Sequence, residues 1–426
     1  VPNGGLGEII FFSFPSAILP FEATSRQTHI AFTSRHQIML NARELREAFV
    51  QIRSQSEAIC APLKTEDYGV QPVTHVSPPK WHLGHTSWFF EQLLLKTLPD
   101  YRPFDARFGF LFNSYYQSAG AHLSRAKRGD LSRPTVSEIY AYRDAITRAV
   151  LGALSDESGL SEAQKTIIEV GLHHEQQHQE LLLTDIKYIL GHNPLFPAYH
   201  GEFCENPAQE SPQRWVEIPA GIYEIGHGAP DTFCYDNERP RHRVFHEAFA
   251  ISSHLIRNDE YLEFMQAGGY GEPLLWHAEG WDWRAQNQID APLYWHQIDG
   301  QWFQYTLAGL AELRAEAPVT HISYYEAAAF AQWKGMRLPT EFEWESAQAE
   351  LDWGSRWEWS ESAYLPYPGF VEAPGALGEY NRKFMVNQKV LRGASVATPA
   401  GHGRVSYRNY FHPPLRWQFT GFRLVK

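Results

Sequence analysis

Cysteine is scarce in this chain: three residues, Cys60, Cys204 and Cys234, none at a paired spacing. That excludes a disulfide framework and a Cys-based zinc site, and it fits a reducing cytoplasm best. A long apolar run is also missing. Nothing approaches the ~18 residues a membrane helix needs, and residues 1–20 lack a basic stretch followed by a continuous apolar core, so the expectation is a soluble chain with no membrane partner. Basic residues are outnumbered, 37 against 49 acidic, for a net charge of −12. With no basic stripe to offset that balance, nucleic acid is excluded as a partner. Residues 1–38 lack clear periodicity and precede the first methionine, Met39; they read as a poorly ordered N-terminal extension or as an overlong start assignment.

Aromatics, by contrast, are abundant, with 14 Trp, 21 Tyr and 26 Phe in 426 residues. Such a chain can bury large cores, and its length points to two domains. Helical periodicity marks Asn41 to Ile59, Pro79 to Thr97, Thr135 to Ser155 and Ser161 to Leu190, with cap signals at Ser137 and Ser161. These predict a four-helix bundle over 39–200. After the Pro- and Gly-containing stretch 193–212 the pattern changes to short segments and frequent turns, so a second domain of mixed structure is expected over 213–426. Trp215 to Gly221 reads as its opening strand, His321 to Lys334 as a helix, and Arg416 to Val425 as its closing strand.

The chemistry begins at Gly171-Leu172-His173-His174-Glu175-Gln176-Gln177-His178-Gln179-Glu180. His174 and His178 are one helical turn apart, so both imidazoles reach the same ion, and zinc, iron and copper all take such ligands. Glu180 sits roughly 240° around the helix from His174, which makes it an acceptor for a ring N–H or a neighbouring chain rather than a ligand. Gln177 flanks the metal face at about 60°. A third ligand must come from another helix. Trp81-His82-Leu83-Gly84-His85 offers His82 and His85; taken alone it is a core helix with hydrogen-bonded histidines, and beside the pair at 174 and 178 it becomes the source. His174 to His178 also matches the H-E-x-x-H of zinc proteases with Glu175 as base, but Asn193-Pro194 follows where that class needs a third ligand.

The connection between the second and third helices is too rich in tyrosine and arginine for a spacer, carrying Tyr115, Tyr116, Arg125 and Arg128. Further on come Asp236-Asn237-Glu238-Arg239-Pro240, Gly335-Met336-Arg337-Leu338-Pro339-Thr340-Glu341-Phe342-Glu343-Trp344-Glu345 and Gly421-Phe422-Arg423. With the histidine motifs, these make the chain after residue 40 resemble the ergothioneine-type sulfoxide synthases. In that family a DinB-like bundle is fused to a formylglycine-generating-enzyme (sulfatase-modifying-factor) domain with a C-type-lectin-like core, a multi-domain α plus α+β architecture.

The resemblance implies a mononuclear non-haem Fe(II) on His85, His174 and His178, with His82 structural or supporting a ligand. It implies that cysteine is joined to the imidazole of hercynine (Nα,Nα,Nα-trimethylhistidine) with O2, leaving a sulfoxide. Tyr115 or Tyr116 is then the proton donor, Gln177, Asn409 and Tyr410 hold hercynine, and Arg125 and Arg128 hold the sulfur donor's carboxylate. Relatives that take γ-glutamylcysteine place an acid after the Asn-aromatic pair; Phe411 stands there, so free cysteine is expected. Copper-dependent formylglycine formation needs a cysteine pair that Cys204 and Cys234 do not supply. Rival readings are a histidine acceptor, as in ovothiol synthesis, a selenium donor, or a non-catalytic binding protein with structural zinc. The residues leave homo-oligomerisation and calcium in the second domain open.

Overall fold

The computed structural model describes residues 40–155, 159–206, 212–229, 232–373 and 375–426; the expected N-terminal extension lies outside them. Among the described residues, four long helices form the first domain, α1 (Ala42–Cys60), α2 (Pro79–Leu93), α3 (Val136–Ser155) and α4 (Glu162–Gly191), with a single helical turn, Phe108–Leu111, between α2 and α3. Capping boxes on Asn41 and Ser161 start α1 and α4. The hydroxyl that caps α3 is that of Thr135, which accepts from Glu138 N, rather than that of Ser137. The second expected helix splits into α2 and a 3-10 turn, Leu95–Thr97.

α2 packs against α3 and α4, and α1 against the same two. Its buried residues run from Pro79 to Glu91 without a break, so it carries polar groups into the interior that must find partners there. The bundle centre holds Glu175, which accepts from Arg53 (3.1 Å), Arg143 (2.5 Å) and Ser56 (2.7 Å). Burial pushes its carboxyl up, but the two guanidiniums outweigh burial and hold it at about 2. Glu175 is thus a structural anion facing α1 and α3, and no base for a protease.

The second domain is mixed α/β. β1 (Trp215–Ile218) pairs with β4 (Phe249–Ser252), and β2 (Gly221–Ile225) with β3 (His242–His246). β5 (Trp295–Ile298), β6 (Gln301–Thr306) and β7 (Gly309–Glu312) form a meander. The sheet nearest the site has the order β10 (Asn409–Phe411), β9 (Lys389–Ala394), β8 (Arg356–Ala363), β11 (Thr420–Gly421), with β11 parallel to β8. Thr340 and Ser323 cap the helices Glu341–Ala347 and Tyr324–Trp333.

The motifs of this domain are mostly buried ion pairs that fix its irregular backbone. Arg423 binds Glu358 (2.7 Å), Arg408 binds Glu341 (2.7 Å), and Arg404 binds Glu238 (2.6 Å). The segment 416–425 is not one closing strand. Beyond Thr420–Gly421, buried Val425 bridges to both Ile251 and Arg337, so this segment is shared among several neighbours instead of following one ladder. The opening strand likewise stops at Ile218 and resumes as β2 after the Pro219–Ala220 turn.

Candidate metal centre and its cavity

His85 projects from α2 and His174 and His178 from α4, and the three ring nitrogens available as ligands lie within 4.8 Å of one another. His85 Nε2 and His174 Nε2 are 3.1 Å apart. Two imidazoles bound at right angles on one ion at about 2.1 Å would lie about 3 Å apart, so this spacing fits a shared metal. All three rings are buried, and burial pushes each below the ordinary imidazole range, His174 to about 3, which leaves neutral rings with lone pairs.

The hydrogen bonds of two rings fix which nitrogen is free. His85 Nδ1 faces the carbonyl of Phe112 at 2.6 Å, so it carries the proton and Nε2 is the lone pair. His178 Nδ1 meets His82 Nδ1 at 2.8 Å, and His82 Nε2 meets Asp185 Oδ2 at 2.9 Å. A carboxylate only accepts, so His82 donates from Nε2 and accepts at Nδ1, and His178 therefore donates from Nδ1 and keeps Nε2 free. Asp185 is itself held by Ser77 N (2.8 Å) and Trp417 Nε1 (2.9 Å). Among the described residues His174 has no partner on Nδ1; its ring is set by parallel packing on Phe89 at 4.5 Å. His85 is sandwiched between Trp81 (4.6 Å) and Trp88 (5.5 Å).

The triad opens on a cavity of about 220 Å³ between the two domains. Its wall includes His82, Tyr115, Arg125, Arg128, Gln177, Glu180, Asn409, Tyr410 and Phe411. Tyr116 is apart from them: it is fully buried behind Tyr115, stacked on it at 4.6 Å and packed against Trp88. Asn113 folds this loop, accepting from Tyr116 N (3.0 Å) and donating to the carbonyls of Tyr116 (2.9 Å) and Gly120 (3.1 Å). Glu379, from the second domain, accepts from the amides of Gln117 and Ser118, both at 2.9 Å, and Lys383 donates to the carbonyl of Tyr115 (2.7 Å).

Gln177 is held at both ends, donating to Tyr407 and accepting from Tyr380. Glu180 turns to the neighbouring chain, accepting from Thr398 (2.7 Å), Ser395 (3.2 Å) and Trp357. Arg128 is buried, lies 3.3 Å above the Trp81 ring and donates to Ser77 Oγ (2.9 Å), with its Nε unspent. Arg125 donates to the carbonyl of His75 (2.7 Å). Tyr410 stacks on Tyr364 at 4.0 Å.

Several residues of the site and its support escaped the sequence reading. Asp185 had a signal: it lies two turns after His178, on the same helix face. Tyr380, whose ring is 6.0 Å from His174, and Gln418 sit in aperiodic segments that gave none.

Residues 48–182 match the DinB superfamily, and residues 200–363 match the sulfatase-modifying factor enzyme 1-like domain. The hercynine oxygenase of Mycobacterium tuberculosis is 30% identical over 353 residues, covering 71% of this chain and 80% of that protein. That of Mycolicibacterium smegmatis is 29% identical over 408 residues, covering 82% and 91%. The formylglycine-generating enzyme of Thermomonospora curvata is 30% identical over 177 residues, but these are only 37% of this chain and 58% of its own. A DinB region followed by a sulfatase-modifying-factor domain, matched across both halves by these oxygenases, places this chain in the hercynine oxygenase family.

Proposed function

We propose that this protein is a non-haem iron sulfoxide synthase that joins the sulfur of cysteine to the imidazole ring of hercynine, giving hercynylcysteine sulfoxide in ergothioneine biosynthesis. The observation that carries the reading is the neutral His85/His174/His178 triad, two rings of which have a fixed free nitrogen, on the wall of an interdomain cavity. Ferrous iron, when bound, supplies dioxygen activation and a common anchor for thiolate and imidazole. The balance is simple: the thiol S–H and the ring C–H give way to a C–S bond, one oxygen atom ends on sulfur, and the other leaves as water.

The residues divide the remaining work. Tyr115 is the proton donor: it faces the cavity, while Tyr116 lies behind it and the hydroxyl of Tyr380 is committed to Gln177. Tyr380 and Tyr407 thereby lock the Gln177 carboxamide in the orientation it needs to meet hercynine. Asn409 and Tyr410 complete that subsite, and the Tyr410 face suits a trimethylammonium group. Arg125 and Arg128 take the carboxylate of the sulfur donor. Phe411 offers no anion to a glutamyl amine, which favours free cysteine over γ-glutamylcysteine. Holding both reactants in one cavity provides the orientation that C–S bond formation demands.

The test is O2 consumption with mass-spectrometric product analysis, using Fe(II)-loaded protein, hercynine and either thiol. Sulfoxide formed with cysteine and abolished by His174→Ala is the expected result. Turnover confined to γ-glutamylcysteine would overturn the donor assignment, and no C–S product with either thiol would overturn the function.

A further inference from the structure

Most polar groups on the cavity wall already have protein partners, Glu180 three donors and Gln177 two tyrosines that leave it one N–H and one lone pair. Gln418 is different. It is 2% exposed, lines the cavity, and neither its Nε2 nor its Oε1 has a hydrogen-bond partner among the described residues. Buried carboxamides are seldom left without partners, and one that borders a cavity is set to be satisfied by what the cavity receives.

Its place in the cavity follows from its neighbours. Trp417, next in the chain, donates to Asp185 (2.9 Å); Asp185 accepts from Ser77 N (2.8 Å); Ser77 Oγ accepts from Arg128 Nη1 (2.9 Å). Trp417 also packs edge-on against Phe411 at 5.5 Å. Gln418 therefore belongs to the arginine side. An α-amino acid needs two complementary groups there, a cation for its carboxylate and an acceptor for its ammonium. Arg128 supplies the first, with Nε unspent. For the second, Asp185 and Glu180 are each committed to three donors and Phe411 offers nothing. Asn237 Oδ1 and the hydroxyls of Tyr235 and Ser114 are also unspent, but Asn237 donates to Tyr364, on which Tyr410 stacks, and Tyr235 stacks on Tyr380, which binds Gln177, so both belong to the hercynine side, while Ser114 stands beside Tyr115 on the tyrosine loop.

We propose that Gln418 reads the α-ammonium of the sulfur donor through Oε1, beside the carboxylate that Arg128 holds. The assignment rests on the reading of the donor as an amino-acid thiol. It makes Gln418 a specificity residue for a free α-amine, because acylating that nitrogen, as in γ-glutamylcysteine, removes the charge and all but one N–H.

The experiment compares cysteine with 3-mercaptopropionate, which keeps thiol and carboxylate but lacks the amine, on the wild type, Gln418→Leu and Gln418→Glu. Gln418→Leu should lower kcat/KM for cysteine about ten- to hundredfold through KM, the scale of a hydrogen bond to a charged group. Activity with mercaptopropionate should stay within about twofold, the KM for hercynine should not move, and Gln418→Glu should keep the preference for cysteine. An equal loss on both thiols, or a shift in the hercynine KM instead, overturns the assignment. Calorimetric binding of both thiols to Zn(II)-loaded protein reads the same discrimination without turnover. Absent turnover with that discrimination intact would refute the reaction and leave Gln418 in place; equal binding of the two thiols by wild type and Gln418→Leu would refute Gln418.

Discussion

Replacing Asp185 by Asn should loosen the metal without touching a ligand. The carboxylate accepts from His82 and Ser77 N on Oδ2 and from Trp417 on Oδ1, all within 2.9 Å. An amide of the same shape has one acceptor and one donor end. Its oxygen can stay on the His82 side only by turning its NH2 against the Trp417 N–H; the reverse turn sets the NH2 against His82 and drives that ring to the tautomer that cannot accept from His178. Either way the bond to His82 loses its charge. A charge-assisted hydrogen bond contributes about 1.5–3 kcal/mol and a neutral one about 0.5–1.5, so about 1–1.5 kcal/mol of support for the His178 lone pair is lost. At about 1.4 kcal/mol per factor of ten, Fe(II) affinity should fall about tenfold, at the lower end of the 10–100-fold expected for such partners. The assay is anaerobic competition with a chromophoric chelator. Trp417→Phe is the control, since it removes the third donor and leaves His82 its acceptor. Wild-type affinity in Asp185→Asn, alongside loss of metal in His174→Ala, would refute the relay.

Three further outcomes follow from the packing. Glu175→Gln leaves Arg53 and Arg143 as buried cations short of an anion and should cost about 3–5 kcal/mol in chemical denaturation; a smaller loss would remove Glu175 from the centre of the bundle's charge network. Gly84→Ala puts a Cβ 2.4 Å from the Phe112 ring, whose residue also accepts from His85, so we expect a destabilisation of about 1–3 kcal/mol together with weaker metal binding, both read by thermal shift with and without metal. For Glu379, burial pushes the carboxyl up, but Ser118, Lys383 and the Gln117 amide outweigh it and hold it at about 2. A carboxyl depressed on folding stabilises fully above its unfolded value, about 4.3, and that contribution is lost as pH falls toward 2. Amide exchange at Gln117 and Ser118, corrected for intrinsic rates, should accelerate below about pH 4 in the wild type and at neutral pH in Glu379→Gln; unchanged protection in the variant would show that the clamp does not hold the tyrosine loop.

The four helices were legible because each carries its own periodic pattern, and two carry a capping box at the residue where the pattern starts. The histidine pair was legible for the same reason, since spacing on one helix fixes which side chains share a face. Strand ends in the second domain were less so: 416–425 is bonded to several partners at once, and no local alternation records that.

What the sequence determined by itself is therefore local: the bundle, its caps, and two ligands on one face of α4. Tertiary structure decided the rest. Whether His85 or His82 joins the pair depends on how α2 meets α4, which turns His85 Nε2 to His174 and leaves His82 between His178 and Asp185. The tyrosine loop, Gln177 and Gln418 acquire or lack partners only where the second domain closes over the bundle. Hydrogen-bond satisfaction is a property of the enclosed volume, and separate stretches of chain come to share such a volume only through packing.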